Sequence, residues 1–382
     1  MDKSSKDLLK NFTQEFGVDP KKLLEYYDIR ILFVKLIKSS VPAGLKKEAL
    51  KMIIRLYYTA SKGAGYSTEY EIVYKYIDWI TSIPWGKFTP DHLDLKKIEE
   101  ELNKTHYGLQ QVKERILSYM AAVKLKYDSE EVEKDKPKVL RHIPVLLFVG
   151  LQGLGKTTIA YSIANALGRR FVKVSLAAFG DVLQLRGKPK NYPDAEPGVI
   201  VKALVRAGSM NPVILLDEIE KVSSDPKVRN DIHAALLEIF DPSQNTEFVD
   251  KYIDYPIDLS YVFFIATANS LSNLPAALLD RVEIIRFTSY TDEEKIIIGK
   301  KYLFPKVLKK TGLKESQLVI TDQAWPLIVR PMGIDAGIRQ LERTLMNIAR
   351  KTAYKIIKEG VDKVVVTPNN VKEFLPDVGY LG

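Results

Sequence analysis

The sequence predicts an α/β fold: a mostly parallel sheet covered by helices, with a helical segment before it and a mainly helical segment after it. Short apolar runs at Val145–Val149, Phe171–Val174, Val213–Leu216, Val262–Ala266 and Ile284–Ile285 alternate with helical patterns, and that alternation means parallel strands joined by crossover helices. A glycine-rich turn follows the first run, and the third ends in two adjacent carboxylates. Both are placements expected of chemistry at the ends of strands.

Composition narrows the class. The 382 residues are 46% hydrophobic and 27% charged, ordinary for a soluble globular chain and enough for two or three domains. Cysteine is absent, which excludes disulfides and cysteine-based metal sites or nucleophiles and agrees with a reducing compartment. The 4 histidines show no metal-cluster spacing. A net charge of +9 is a mild bias; it permits weak binding to nucleic acid or acidic substrates and otherwise describes solvated faces. The first residues lack an apolar secretory core, and no apolar run approaches the ~18 residues that cross a bilayer. The expectation is a cytoplasmic protein without membrane contact.

In chain order, residues 1–95 read as helices. Asp19-Pro20 is a capping residue followed by proline at the first helical position, with Leu23, Leu24 and Tyr27 opening an apolar stripe. Further helices are expected from Leu45 to about Tyr58 and from Thr68 to Thr81, the latter stopped at Ile83-Pro84-Trp85-Gly86. No chemistry is visible there; a docking or spacing role fits. Residues 96–290 hold the strands, with Lys124–Lys138 as an exposed charged connection, and residues 291–382 return to helix, including a long one from about Asp335 to Lys358. Val364–Val366 reads as a short strand before a last helix.

The strongest chemical signal is Gly150-Leu151-Gln152-Gly153-Leu154-Gly155-Lys156-Thr157, followed by Thr158. It is a P-loop pattern lying between a strand and a helix, as that pattern must. Its glycines let backbone N–H groups curl around phosphates at a helix N-terminus. Lys156 would reach the β- and γ-phosphates, and the Thr157 hydroxyl would hold Mg²⁺. The strand Val213–Leu216 runs into Asp217-Glu218. Asp217 would organise the Mg²⁺ shell, and Glu218 would orient and polarise the attacking water. Asn269, after the strand Val262–Ala266, is either a contact to the γ-phosphate or water, or a turn asparagine. Arg281 is either an arginine finger on a neighbour's ATP or a surface arginine. Arg339 either reads nucleotide state from the helical lid or forms an ion pair within its own helix.

These residues resemble the ATPase part of the Lon protease family, from about Val41 to Pro376. The specific pieces are Tyr76-Ile77-Asp78-Trp79 with Ile83-Pro84-Trp85, His106-Tyr107-Gly108-Leu109 with Val112-Lys113, Asn211–Ile219, Asp241-Pro242-Ser243-Gln244-Asn245, Ile265–Ser270, Leu278–Arg281 and Gly337-Ile338-Arg339. The resemblance implies an AAA+ P-loop NTPase domain followed by a lid, using ATP and Mg²⁺, in a homohexamer that unfolds proteins and threads them through a pore in protein quality control. It implies that Asn269 is sensor 1, Arg281 the trans-acting finger and Arg339 sensor 2, with His106 and Tyr107 beside the adenine. Tyr192 matches the aromatic of the pore loop that grips polypeptide.

Some positions depart from the family pattern. Pro193 replaces a bulky aliphatic after Tyr192, Glu196 stands where methionine is usual, and Leu151-Gln152 replace two prolines. Pro326 implies a lid helix that is kinked or begins late. The family's proteolytic domain, with its serine nucleophile and lysine base, would follow the final helix, so the residues up to Gly382 are not expected to cleave peptides. The leading reading is the ATPase module of a Lon-type protease. A stand-alone protein-remodelling ATPase comes second, and a nucleic-acid-directed AAA+ motor third.

Overall fold

The computed structural model describes residues 12–62, 67–129, 139–177, 179–329 and 337–375. Its strands, in chain order, are β1 Val145–Val149, β2 Phe171–Ser175, β3 Val213–Asp217, β4 Phe248–Val249, β5 Pro256–Ile257, β6 Phe263–Ala268, β7 Val282–Arg286, β8 Leu318–Ile320 and β9 Val364–Val366. The longer helices are α1 Tyr27–Lys38, α2 Ala43–Ser61, α3 Ser67–Ser82, α4 Leu95–Thr105, α5 Gln110–Ser129, α6 Lys156–Leu167, α7 Val199–Ala207, α8 Pro226–Phe240, α9 Asp292–Ile298, α10 Phe304–Thr311 and α11 Arg339–Glu359.

Five strands form one all-parallel sheet in the order β2-β3-β6-β1-β7. Its central strands are continuous apolar runs because both faces are covered. Alternate residues feed two cores. Val145, Leu147, Ile214, Leu216, Phe264 and Ala266 pack with α1–α3, α7 and α8, whereas Leu146, Phe148, Val213, Leu215, Phe263 and Ile265 pack with α4–α6 and the lid helices α9–α11. The N-terminal helices therefore belong to one face of the sheet, and the P-loop helix and lid to the other.

The chain changes face through a strap, residues 87–94, fastened by buried polar groups. Lys87 O accepts from Met210 N at 2.8 Å, and the buried Asn211 carboxamide accepts from Thr89 N at 2.8 Å. Arg169 makes two bonds to Asp91, at 2.6 and 2.7 Å, with both side chains fully buried, and donates to Tyr261 O at 2.8 Å. This is a geometry in which a desolvated ion pair is satisfied.

Several elements differ from expectation. Asp19 caps its helix, accepting from Lys21 N at 2.9 Å, but that helix ends at Leu23. A fresh start at α1 resets the phase. Ile29, Leu32, Phe33 and Leu36 make the buried stripe, while Leu24 and Tyr27 are 39% and 67% exposed. Helix α5 continues to Ser129, so the first part of the charged connection is helical, and 130–138 lie outside the described residues. Helix α11 begins at Arg339 rather than near Asp335, which also lies outside them. Pro326 falls in the first turn of the helix Trp325–Val329, behind a 3₁₀ turn at Asp322–Ala324. That helix begins late, where a missing N–H does least harm. The lid rod α9 passes into α10 through a π-turn, Gly299–Leu303. Among the described residues, no helix is long and apolar enough to cross a membrane.

Candidate nucleotide site

Strand order creates the site. Because β6 lies between β1 and β3, the C-terminal ends of the three strands bring the P-loop, Asn269 and Asp217-Glu218 to one cleft, as open parallel sheets do. The cleft has a volume of about 270 Å³ and is walled on its far side by Leu303, Lys306, Ile338, Arg339 and Glu342 of the lid.

Gly150 turns the chain away from β1. A Cβ there would lie 2.8 Å from Phe287 O. Gly155, at φ 89°, caps α6 in the left-handed region, so the helix N-terminus opens into the cleft at Lys156. The Lys156 ammonium donates to Ala268 O and Asn269 Oδ1, both at 3.1 Å, and to Gly150 O. Burial draws its pKa down from the usual lysine value, while Glu220, Asp217 and Glu218 act the other way. Thr157 and Thr158 line the same wall.

Asp217 is gripped on both oxygens, by Thr267 Oγ1 at 2.5 Å and Lys173 Nζ at 2.5 Å. Burial opposes its charge, yet these two donors outweigh it and hold the carboxyl below the usual carboxylate range. Glu218 sits at φ 58°, an uncommon conformation for a non-glycine residue, with its N–H on Thr267 Oγ1 at 2.9 Å. Its carboxylate accepts from Lys221 at 2.6 Å and Gln152 Nε2 at 3.3 Å. The Gln152 carbonyl in turn accepts from Arg339 at 3.1 Å. One P-loop amide thus bridges Glu218 and the lid arginine. Arg339 does not use Glu342, which is taken by Lys306 at 3.1 Å and Lys310 at 3.2 Å. The lid meets the P-loop directly, Ile338 N donating to Gly153 O at 3.1 Å.

The remaining sequence candidates lie outside the cleft. His106 is buried behind the first turn of α6, its Nε2 2.8 Å from Thr158 Oγ1, and burial, with Lys113 adding to it, depresses its pKa to about 4. Tyr107 is partly buried against the core on that side. Arg281 follows the short helix Ala276–Leu279 and pairs with Asp241 at 3.1 Å, its side chain 49% exposed. Tyr192 and Pro193 belong to the loop before α7, on the opposite face of the sheet, with Tyr192 47% exposed. There they line a groove of about 560 Å³ with Ile72, Tyr76 and Trp79 of α3.

Sequence reasoning missed Thr267, Lys173 and Glu220, which touch the candidates, and Lys306 and Glu342 in the lid. Only Thr267 left a signal: it stands two residues before Asn269, on the same side of the strand ending there.

A P-loop at a strand end, a carboxylate pair across one intervening strand and a lid arginine over both define a P-loop ATPase of the AAA+ class. Residues 146–290 match the family model for the ATPase family associated with various cellular activities. Residues 309–365 match that for the Lon protease AAA+ ATPase lid domain. Relatives include Lon protease 2 of Thermus thermophilus, 45% identical over 82% of this chain and 39% of the relative. The Lon protease of Dictyoglomus thermophilum is 43% identical over 97% and 44%, and Lon protease 1 of Bacillus subtilis 42% over 91% and 43%. The chain belongs to the Lon protease family and carries its AAA+ ATPase module; it spans about two-fifths of the length of these relatives.

Proposed function

We propose that this module hydrolyses ATP and converts the cycle into a pull on a polypeptide, as the ATPase part of a Lon-type protease acting in the cytoplasm. The observation that carries the reading is the convergence of Lys156, Asn269, Asp217 and Glu218 on one cleft beneath Arg339. The backbone turn Gly150–Gly155 and the α6 N-terminus receive the phosphates, and Lys156 neutralises the β- and γ-oxygens. Glu218 takes the proton of the attacking water, and Asn269 helps fix that water or Lys156. The donor set of the Asp217 carboxylate, at the end of β3, and the Thr157 hydroxyl, in the first turn of α6, is all oxygen and incomplete by itself, which suits Mg²⁺ shared with phosphate and water. Held by Thr157 and Asp217, Mg²⁺ would supply Lewis-acid stabilisation of the phosphate charge.

Arg281 is assigned to a neighbouring subunit's nucleotide, which places each ATP at a contact between copies in a homohexamer. Division near residues 95 and 290 gives a helical N-terminal unit, the ATPase domain and the lid. Tyr192 and Pro193 are assigned to polypeptide gripping, and His106 and Tyr107 to the wall behind the P-loop on the adenine side. The test is ATP turnover with and without an unfolded protein such as casein. Stimulation by casein supports a polypeptide motor; stimulation by DNA, lost at high salt, would favour a nucleic-acid motor instead.

A further inference from the structure

Glu220 lies two residues beyond Glu218, on the 3₁₀ turn Ile219–Lys221, and is only 7% exposed. Its Oε1 accepts twice from the same residue, from Asn269 N at 3.0 Å and Asn269 Nδ2 at 2.8 Å. Its Oε2 is buried with no hydrogen-bond partner among the described residues. Half-satisfied buried carboxylates are costly, and where they persist they generally serve the site beside them.

The chemistry of the contact fixes the Asn269 amide. A carboxylate only accepts, so the NH₂ group must face Glu220 and the carbonyl oxygen must face away. That oxygen is the atom found 3.1 Å from Lys156 Nζ. The second bond, from the backbone N–H, ties the same carboxylate to the end of β6 and leaves the side chain little freedom to turn over.

We propose that Glu220 is a positioning residue for hydrolysis: it holds Asn269 with its carbonyl oxygen toward Lys156 and the reacting phosphate, so that Asn269 works as a hydrogen-bond acceptor. In this pose Asn269 orients the Lys156 ammonium or an O–H of the attacking water, and it does not donate to a phosphate oxygen. The proposal rests on reading the cleft as the ATP-hydrolysing site.

The test is a double-mutant cycle on the full chain, measuring kcat, KM and the affinity for a fluorescent ATP analogue. Glu220→Ala is expected to lower kcat by roughly 10- to 100-fold, less than the roughly 10²- to 10³-fold lost with a preorganised donor that itself touches the reacting group, since Glu220 acts through Asn269, with affinity changed less than about threefold. Asn269→Ala should do the same, and the double variant should be no slower than Asn269→Ala alone, since the two act as one unit. Glu220→Gln keeps an acceptor oxygen for both N–H groups and should stay within about threefold of the parent kcat. Multiplying effects in the double variant, an unaffected Glu220→Ala, or a Glu220→Gln as slow as Glu220→Ala would each overturn the proposal. If the alanine variant does not fold, the glutamine variant decides alone: near-parent turnover supports the proposal and a loss above about tenfold overturns it. A parent chain that turns over no ATP would instead overturn the reading of the cleft, and the proposal with it.

Discussion

The two faces of the sheet are built from the same strands but hold their candidate residues in different ways. On the P-loop side, each group is fixed by more than one polar contact: Asp217 by Thr267 of β6 and Lys173 of β2, Asn269 twice by Glu220 of the turn after β3, and Glu218 by Lys221 of that same turn and Gln152 of the P-loop. On the other side, Tyr192 stands half-exposed on a loop whose base is pinned by Asp250, which accepts from Gly198 N at 2.7 Å and Tyr252 N at 2.8 Å. Its tip meets α3, where Lys190 lies over the Tyr76 ring at 4.3 Å. Chemistry that must be placed to fractions of an ångström is locked by converging polar contacts. The loop proposed to grip polypeptide is instead held at its base and against α3, with the Tyr192 side chain half-exposed.

Four perturbations probe the two faces separately. The largest effect is expected of Arg281→Ala, which should lower turnover by about 10³-fold in the assembled ring, as loss of an arginine finger does. Steady-state hydrolysis reads this, and unchanged turnover would return Arg281 to a simple partner of Asp241. Next is the strap between the faces. Arg169→Met strands the Asp91 charge in the interior and should cost about 3–5 kcal/mol of stability, measured by urea unfolding.

A smaller effect, on stability, comes from His106. Its pKa falls from 6.5 to about 4 on folding, so the unfolded chain binds the extra proton as pH drops through that window. Its stabilisation is complete above pH 6.5 and is lost toward pH 4, by at most roughly 3 kcal/mol. His106→Gln should flatten that part of the stability-versus-pH curve. Smallest is Tyr192→Ala, expected to weaken capture of an unfolded polypeptide by about tenfold, the scale of one aromatic anchor. Pull-down with labelled casein measures it, and capture equal to the parent's would move substrate gripping away from this loop.

How much the sequence revealed follows the same division. The central strands β1, β3 and β6 were legible within a few residues because strands buried on both faces are unbroken apolar runs, and the edge strands β2 and β7 from shorter apolar stretches broken by Lys173 and Glu283. The β4–β5 hairpin and β8 have two or three residues each, too few to show a period. The P-loop and Asp217-Glu218 were legible because their spacing lies within one short segment. Glu220, Thr267 and Lys173 were not, since their importance comes from contacts between strands far apart in sequence. Arg169 looked like one basic residue among many; only its burial against Asp91 sets it apart. The N-terminal stripe was misplaced because a helix break at Leu24–Tyr26 shifts the phase, and the Asp19-Pro20 cap marks where that helix starts but not where it stops.

If this cleft binds and hydrolyses ATP as proposed, Glu218 is the base that activates the water. Glu218→Gln tests it most directly, with affinity for a fluorescent ATP analogue and turnover measured on the same preparation. Affinity should stay within about threefold of the parent while turnover falls by at least about 100-fold, the scale of a lost general base. Turnover equal to the parent's, or loss of binding in step with loss of turnover, would contradict it.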